Sequence, residues 1–546
     1  MRFYFFALML LSFYHSFAQD TLLKNDLPSA EKMFGLSFTA ADRDSLYDEV
    51  KNTASEIKKM HQYHLGNEIQ MSLVQTPLLP GMKISKKQMP VVWPHQNIQM
   101  PVNKNDLAFY SIEQLASLLK TKKITSVELT RFFIERLKKY GDTLHCVISI
   151  TSELAMQQAV QADKEIAAGK YRGLLHGIPY GIKDLFAVKG TKTTWGAAPY
   201  KEQVIDEDAY VYSKLKESGA VLVAKFTLGA LAMGDYWYGG RTNNPWNLEY
   251  GSSGSSAGST AATVAGLVPF AIGTETYGSI ISPSTVCGAT GLRPTFGSVS
   301  RSGAMALSWS LDKVGPICRS AEDAAVVFYY LHGTDGKDAS AVNMPFNYTG
   351  KADLTKLKIA YAKNYFNKED TLGNELVTLE VFRKAGAHLV PVEFPDSGAY
   401  NFNMMGIIIG AECAAAFDEF TRNGLDRQMT RQGKNDWPTQ FRAARYIPAV
   451  EYVNANRHRT LLMKKVNELI NNYDVIICPT WGGSQCAITN LTGHPAISIP
   501  TGFNSQHLPT SITLVGRLYD EETLLAVAKA YQQATPWDKM HPAMFK

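Results

Sequence analysis

The chain has 546 residues, of which 45% are hydrophobic and 19% are charged, so it is long enough to bury a large core. Its net charge of +5 comes from 55 basic and 50 acidic side chains, without the concentrated basic run that a nucleic-acid-binding surface needs. We therefore expect a globular protein with no nucleic-acid partner.

The first residues form the three-part pattern of a secretory signal peptide. Arg2 supplies a positive charge, an apolar run covers residues 3–14, and Ser16 and Ala18 are the small residues before a cleavage site. A single membrane anchor is the alternative, but the run is short for a bilayer span. The sequence predicts a signal peptide over residues 1–18, a secreted or periplasmic protein, and no stable membrane insertion after cleavage.

Residues 19–104 are predicted to form an N-terminal extension that is partly helical and partly Pro-rich. Thr39 and Asp42 form a helix start signal ahead of a segment with one apolar face. The stretch 71–103 carries five prolines and predicts a non-helical connection. The main domain is expected to occupy residues 105–546.

Amphipathic helices alternate with short apolar strands in the first part of this domain. Ser111 is expected to cap one helix, and Thr125 with Glu128 the next, which should end at Gly141. Strands are expected at 146–150, 178–183 and 221–225, with helices at 152–168 and 209–218. The alternation predicts an α/β fold with a large mixed sheet that helices cover on both faces.

Residues 251–282 combine two serine loops with a core-like sequence. A Gly/Ser-rich turn is followed by an Ala-rich helix, a strand expected at 267–273, and a second loop at Gly278. Gly/Ser runs are commonly flexible linkers, but a linker would not lead directly into the segment AATVAGLVPFAIG. We predict that buried elements hold the two loops in a fixed relation, with Ser279 as a nucleophile and Ser255 as its proton relay.

Lys183 ends the apolar strand GIPYGIK immediately before a turn. A lysine at a strand end commonly extends its head into solvent. In a dry site, however, the ammonium form is disfavoured and the neutral amine can act as a base. The combination with two serine loops predicts that role for Lys183.

Ser256 is an alternative nucleophile, because Gly254 to Gly258 fits the G-x-S-x-G elbow of α/β-hydrolases. Such an elbow requires a preceding apolar strand, and residues 246–250 are a poor candidate for one. It also requires a histidine and an acid further along the chain.

No metal site or cofactor is implied by the sequence. It contains no H-E-x-x-H, C-x-x-C or acidic calcium-binding loop. The cysteines lie mostly in apolar runs and are predicted to be buried thiols, at positions 146, 287, 318, 413, 478 and 486.

In three ordered blocks the sequence resembles the amidase signature family of Ser-cisSer-Lys amide hydrolases. The blocks are GIPYGIKDLF with Lys183, GSSGSSAGS with Ser255, and GTETYGSI with Ser279, and the similarity extends over roughly residues 105–535. The resemblance implies the amidase signature fold, with Ser279 as the nucleophile. It also implies a cis peptide bond before Ser255 and a base, Lys183, that draws the proton through Ser255.

The resemblance further implies an oxyanion hole made by backbone N–H groups of Thr276, Tyr277, Gly278 and Ser279. Many members of the family have an arginine where this chain has Ile281, and a smaller residue at the position of Tyr277. These departures favour an apolar or aryl acyl group over a small carboxylate-bearing substrate. Ile281 is a candidate substrate-binding residue, with a place in the core as the alternative.

The resulting hypothesis is a secreted or periplasmic amidase that hydrolyses a small-molecule amide without a cofactor, and a homodimer is an assembly the sequence allows. One alternative is the glutaminase (A) subunit of a tRNA-dependent amidotransferase. A second is an α/β-hydrolase-type esterase that uses Ser256. A third is a non-catalytic binding protein that retains the amidase fold.

Overall fold

The computed structural model describes residues 22–84, 86–93, 97–366, 374–395 and 404–546. The predicted signal peptide lies outside these residues. The contacts divide the chain into two compact units, Met1–Leu65 and Gly66–Lys546. Within the described ranges, no helix combines the length and the hydrophobicity needed to cross a membrane.

The described residues of the first unit form two α-helices, α1 (Leu27–Met33) and α2 (Ala40–Met60). The Thr39 hydroxyl accepts a hydrogen bond from the Asp42 N–H, and the Asp42 carboxylate accepts one from the Thr39 N–H. This reciprocal capping box satisfies two backbone donors at the start of α2. The predicted start of this helix is confirmed.

The second unit begins with the Pro-rich connection, which has no helix or strand among its described residues up to 103. Its side chains nevertheless bond to the rest of the unit. The Asn67 amide bonds to the backbone of Ala306, and Lys86 Nζ lies 2.7 Å from a carboxylate oxygen of Glu522. The compact unit that contains the sheet therefore starts at Gly66, upstream of the predicted boundary at residue 105.

The second unit is built from fourteen further α-helices and thirteen strands among its described residues. The helices are α3 (Ile112–Lys120), α4 (Ser126–Leu144), α5 (Ser152–Ala167), α6 (Tyr210–Glu217), α7 (Ala257–Val264), α8 (Ile281–Cys287), α9 (Ala321–Leu331), α10 (Asn374–Lys384), α11 (Met404–Ala416), α12 (Asp418–Arg422), α13 (Trp437–Ala444), α14 (Ala449–Ile470), α15 (Gln485–Thr492) and α16 (Glu521–Gln533). The strands are β1 (Val147–Ile150), β2 (Pro179–Lys183), β3 (Val221–Phe226), β4 (Tyr236–Trp237), β5 (Gly240–Arg241), β6 (Ala271–Glu275), β7 (Thr290–Arg293), β8 (Lys313–Cys318), β9 (Ile359–Ala362), β10 (Leu389–Val392), β11 (Val475–Pro479), β12 (Ala496–Phe503) and β13 (Pro509–Gly516).

Eleven of these strands form one mixed sheet in the order β1-β3-β2-β6-β8-β7-β12-β13-β11-β9-β10. Successive residues of β11 belong to different apolar clusters, with Val475 and Ile477 in one and Ile476 and Cys478 in another. Because successive side chains of a strand point to opposite faces, both faces of the sheet are buried. The predicted α/β fold, a mixed sheet covered by helices on both faces, is confirmed.

One predicted strand is displaced in the structure. The apolar run expected as a strand from Leu267 starts pairing only at Ala271, and β6 extends to Glu275. Pro269 lies within the run and has no N–H to donate to a sheet ladder, and residues 267–269 form a bend instead. The helix that starts after Thr125 continues to Leu144, three residues beyond the predicted end at Gly141.

The sheet brings two of the sequence blocks to one edge. Strands β2 and β6 are adjacent and parallel, with Ile182 paired to Ile272. The carboxyl ends of parallel strands meet at the same edge of a sheet, where ligand sites of α/β proteins commonly lie. Lys183, at the end of β2, therefore lies beside the end of β6.

Candidate active site

Lys183 is completely buried and its amine is surrounded by hydroxyl groups. Its Nζ atom lies 2.8 Å from Ser255 Oγ, 2.9 Å from Thr274 Oγ1 and 3.1 Å from Ser256 Oγ. Among the described residues it has no carboxylate partner within ion-pair distance. The site therefore solvates the amine with neutral oxygens and provides no direct counter-ion for an ammonium.

Burial lowers the pKa of Lys183 from its usual 10.5 to about 7, although the more distant carboxylates of Asp312 and Glu275 act in the opposite direction. Removal of water disfavours the charged form of an amine. A substantial fraction of Lys183 is consequently neutral near pH 7. Its nitrogen lone pair can then accept a proton from Ser255.

The backbone just before Ser255 packs directly against the backbone of Gly234. The Gly254–Ser255 peptide bond is cis, the conformation that the family resemblance implies. A Cβ atom on Gly254 would lie 1.8 Å from the Gly234 carbonyl oxygen, so only glycine fits there. The next residue, Ser256, donates its N–H to the Ser279 carbonyl oxygen at 3.1 Å. This bond ties the loop of Ser255 directly to the loop of Ser279.

Ser279 lies in the turn between β6 and α8. Its neighbour Gly278 has φ of +84°, a conformation that L-residues with a side chain rarely adopt. Ser279 is 8% exposed, whereas Lys183 and Ser255 are inaccessible, so a substrate can reach only the serine of the turn. The side chain of Tyr277 is 49% exposed next to it.

The predicted oxyanion-hole donors lie in the same turn. In the described part of the chain, the N–H groups of Tyr277, Gly278 and Ser279 have no acceptor, whereas those of Ile280 and Ile281 are bound by a carboxylate. Unpaired N–H groups beside a nucleophile can bind the oxygen of a tetrahedral intermediate. The assignment of the oxyanion hole stays a prediction.

Two carboxylates, Asp312 and Asp184, anchor the loops next to Ser279 and Lys183. Asp312 accepts the Thr276 hydroxyl at 2.6 Å and the N–H groups of Leu307 and Ser308 at 2.8 and 3.0 Å. It thus anchors the first residue of the turn that contains Ser279.

Asp184 follows Lys183 and forms a completely buried ion pair with Lys225 of β3, at 2.9 Å. Its other oxygen accepts the Thr194 N–H at 2.7 Å. These contacts fix the turn at the end of β2 and leave the Lys183 amine directed at the serines.

Thr274 and Glu275 were not predicted as functional residues. Thr274 places its hydroxyl next to the Lys183 amine and also binds Ser256, which donates to the Thr274 carbonyl oxygen at 3.1 Å. Both residues lie in the GTETYGSI block, which is the signal that could have drawn attention to them. Some of their partners, however, come from distant parts of the chain: Lys183 for Thr274, and Asn490 for Glu275.

Ile281 and Ser256, a candidate substrate-binding residue and an alternative nucleophile, are both buried. The Ile281 side chain is 2% exposed and packs in an apolar cluster with Leu311 and Ile488, which is the core alternative of its prediction. Ser256 is fully buried, and no strand directly precedes it between residues 242 and 255. The strand–turn–helix context of an α/β-hydrolase elbow is therefore missing there.

All six cysteines are unpaired thiols, and five of them are buried. Within the described residues, no group of three or more His, Cys, Asp and Glu side chains is arranged to hold a metal ion. His494, in a loop near β12, is buried with its Nδ1 atom 2.8 Å from Thr492 Oγ1.

Comparison with known sequences identifies related proteins over most of the chain. The Amidase family profile matches residues 128–484. The A subunit of the glutamyl-tRNA(Gln) amidotransferase of Coxiella burnetii is 33% identical over 482 residues, which cover 80% of this chain and 99% of that protein. Its counterpart in Acinetobacter baumannii is 34% identical over 489 residues, with the same coverage.

Solved structures have the same fold. The peptide amidase of Stenotrophomonas maltophilia superposes with a TM-score of 0.71 at 27% identity, over 79% of this chain and 97% of that one. An amidase family protein from Bacillus anthracis has a TM-score of 0.72 at 24% identity, over 80% of this chain and 93% of that one. Because the sequence identity to the Bacillus anthracis protein is only 24%, that similarity supports the fold alone.

Proposed function

We propose that this protein, which belongs to the amidase signature family of amide hydrolases, cleaves a carboxylic amide through an acyl-enzyme on Ser279. The observation that carries the proposal is the 2.8 Å contact between the buried Lys183 amine and Ser255 Oγ. It supports the step from Ser255 to a neutral base in a proton path that starts at Ser279, whose loop is bonded to the loop of Ser255 through the Ser256 N–H. No histidine is needed for this path.

The first half-reaction forms the acyl-enzyme. Ser279 Oγ attacks the amide carbonyl carbon while its proton passes to Ser255, and the Ser255 proton passes to Lys183. The N–H groups of the turn stabilise the resulting oxyanion, and loss of one such donor costs about 2.7 to 4 kcal/mol of barrier in a comparable enzyme. The proton then returns through Ser255 to the amide nitrogen, the C–N bond breaks, and ammonia or an amine leaves.

The second half-reaction uses water in place of Ser279. Water attacks the acyl carbon and gives its proton to the same path, the ester C–O bond breaks, and Ser279 recovers its proton. The carboxylic acid leaves and the neutral Lys183 amine is restored. Lys183 serves as a base and then as an acid in each half.

The test is turnover of a panel of aliphatic, aryl and peptide C-terminal amides by Lys183→Ala and Ser279→Ala. Both variants should fold and lose activity. Ser284→Ala is the matched control, because Ser284 is buried in α8 and its hydroxyl has no hydrogen-bond partner in the described part of the chain. Turnover retained by either Lys183→Ala or Ser279→Ala would refute the proposal.

An apolar or aryl acyl group is the proposed substrate class. The half-exposed ring of Tyr277 beside Ser279 offers an apolar contact, and Ile281 supplies no cation for a carboxylate. The similarity to a peptide amidase supports the inclusion of peptide C-terminal amides in the panel.

A second candidate is the glutaminase component of a tRNA-dependent amidotransferase. It is favoured by the amidotransferase relatives, 99% of whose length aligns with this chain. The predicted signal peptide and the isoleucine at position 281 speak against it. Release of ammonia from free glutamine, together with co-purification of partner subunits, would favour this candidate over the first.

For the location, we propose secretion or export to a periplasm, and the pattern of residues 1–18 is the support for it. Oxidising surroundings permit disulfides but do not require them. Free cysteines, most of them buried, are therefore compatible with an exported protein as well as with one that stays in the cell.

A further inference from the structure

We propose that Glu275 is a positioning residue that holds the turn of Ser279 in the geometry needed for the attack and for the oxyanion hole; this inference rests on the proposed function. Glu275 is the last residue of β6 and is completely buried. Its Oε2 atom accepts the N–H groups of Ile280 and Ile281 at 2.8 and 2.9 Å. The carboxylate thereby spans the turn, from the residue before it to the two residues after it.

The other carboxylate oxygen is anchored to distant elements. Oε1 accepts Arg293 Nη1 of β7 and Asn490 Nδ2 of α15, both at 2.8 Å. Arg293 is itself completely buried, and its Nη2 atom donates to Thr489 Oγ1 at 2.8 Å. Four donors thus surround one carboxylate, and they come from both the turn and its supporting elements.

The charge of Glu275 matters for this arrangement. Burial raises the pKa of its carboxyl, but the charge of Arg293 and the hydrogen bonds outweigh burial and lower the pKa to about 2. The group is therefore ionised and accepts only, which all four donors require. A glutamine would present an NH₂ group to one pair of donors and release either the turn or its anchor.

The turn is consequently held at both ends. Asp312 binds the side chain of Thr276 at its start, and Glu275 binds the backbone just after Ser279. Between these anchors the N–H groups of Tyr277 and Gly278 keep no acceptor in the described residues. Such groups stabilise an oxyanion only if they are aimed before the reaction starts.

The test is the kinetics of Glu275→Gln beside Thr489→Val. Glu275→Gln is expected to lower kcat by about 10- to 100-fold with KM nearly unchanged, since small misplacements of reacting groups cost up to about 100-fold. Affinity for a boronic acid that forms a tetrahedral adduct with Ser279 should fall by a similar factor. Thr489→Val removes one acceptor of Arg293 but leaves every contact of the turn, so its kcat and boronate affinity should stay within about twofold of wild type.

Asn490→Ala keeps the inference testable if Glu275→Gln does not fold. It removes one of the four donors, and kcat should fall by a smaller factor in the same direction, with thermal unfolding used to confirm the fold.

The positioning role would be overturned if a folded Glu275→Gln had wild-type kcat and boronate affinity. If Glu275→Gln does not fold, the same result in a folded Asn490→Ala would overturn it. If kcat and boronate affinity fell as much in Thr489→Val as in Glu275→Gln or Asn490→Ala, the role of Glu275 would be structural only, which would also overturn the inference. Failure of the proposed function itself would appear separately, as an active Ser279→Ala.

Discussion

Lys183 and Ser255 are 72 positions apart in sequence, yet the lysine amine lies 2.8 Å from the serine hydroxyl and both residues are completely buried. A parallel strand pair carries the lysine to the sheet edge, and a glycine that admits no side chain lets the serine loop approach. The contact converts two ordinary side chains into a candidate proton path. Its chemistry depends on the amine being neutral.

The two serines that contact Lys183 are predicted to differ in function. Ser255→Ala should lower kcat/KM by about 10²- to 10⁴-fold, because the relay of the proton is lost. Ser256→Ala should chiefly lower the free energy of unfolding, by about 1 to 3 kcal/mol, because the backbone groups of Thr274 lose their hydroxyl partner. Steady-state kinetics and urea unfolding of both variants make the comparison.

Labelling with a fluorophosphonate, followed by peptide mass spectrometry, identifies the nucleophile independently. The adduct is expected on Ser279 in the wild type and in Ser256→Ala. An adduct on Ser256 would contradict the assignment and would support the esterase alternative.

Substitution of Lys183 is predicted to change stability in a pH-dependent way. Its pKa falls from 10.5 to about 7 on folding, so between these values the unfolded chain binds more protons and stability rises with pH. The slope is at most about 1.4 kcal/mol per pH unit, and below pH 7 the full cost of the buried ammonium is present. Lys183→Met removes that cost.

The stability gain of Lys183→Met over wild type should therefore be largest near pH 6 and shrink toward about pH 9.5. Chemical unfolding across this range measures it. A difference between the two proteins that does not vary with pH would show that the amine titrates normally.

The buried pair of Asp184 and Lys225 is predicted to be costly to break. Lys225→Met leaves an unpaired buried carboxylate and should lower the free energy of unfolding by about 3 to 5 kcal/mol. The double variant Asp184→Asn/Lys225→Met should recover part of that loss, because the amide oxygen can still accept the Thr194 N–H. Urea unfolding of the single and double variants gives the coupling. Equal stabilities of wild type and Lys225→Met would contradict the prediction.

Export of the protein is tested at its N-terminus. Expression of the full chain in a bacterium that secretes proteins should yield a mature form that begins at Gln19, detected by intact mass and N-terminal sequencing. A variant with Arg2→Glu and a charged residue in the apolar run is the control that should remain unprocessed. An unprocessed wild-type chain in the cytoplasm would instead favour the amidotransferase candidate.

Much of the fold followed from local signals in the sequence. The capping boxes at Ser111 and Thr125 start helices where the spacing predicts them, because such caps act within four residues. The alternation of apolar strands and amphipathic helices was sufficient for the fold class. The displaced start of β6 shows the limit, since an apolar run alone does not reveal where Pro269 interrupts pairing.

Long-range relationships could not be obtained in this way. The family resemblance pointed to Lys183, Ser255 and Ser279, but spacing gives no hint that Thr274 completes the surroundings of the amine. Two of the four donors around Glu275, Ile280 and Ile281, are close in sequence, but Arg293 of β7 and Asn490 of α15 reach the carboxylate only in the folded protein. Likewise, the described residues of the Pro-rich connection form no helix or strand up to residue 103, and its side-chain bonds to the domain are visible only in three dimensions.

The dependence of kcat/KM on pH tests the central claim, that Lys183 acts as a neutral base, most directly. With a substrate and an amine product that do not titrate in the range, kcat/KM should rise about tenfold per pH unit well below pH 7 and level off above it, with an apparent pKa of about 7. A rise that continues to about pH 10, or a profile that stays flat from about pH 5.5 to 8.5, would contradict the account.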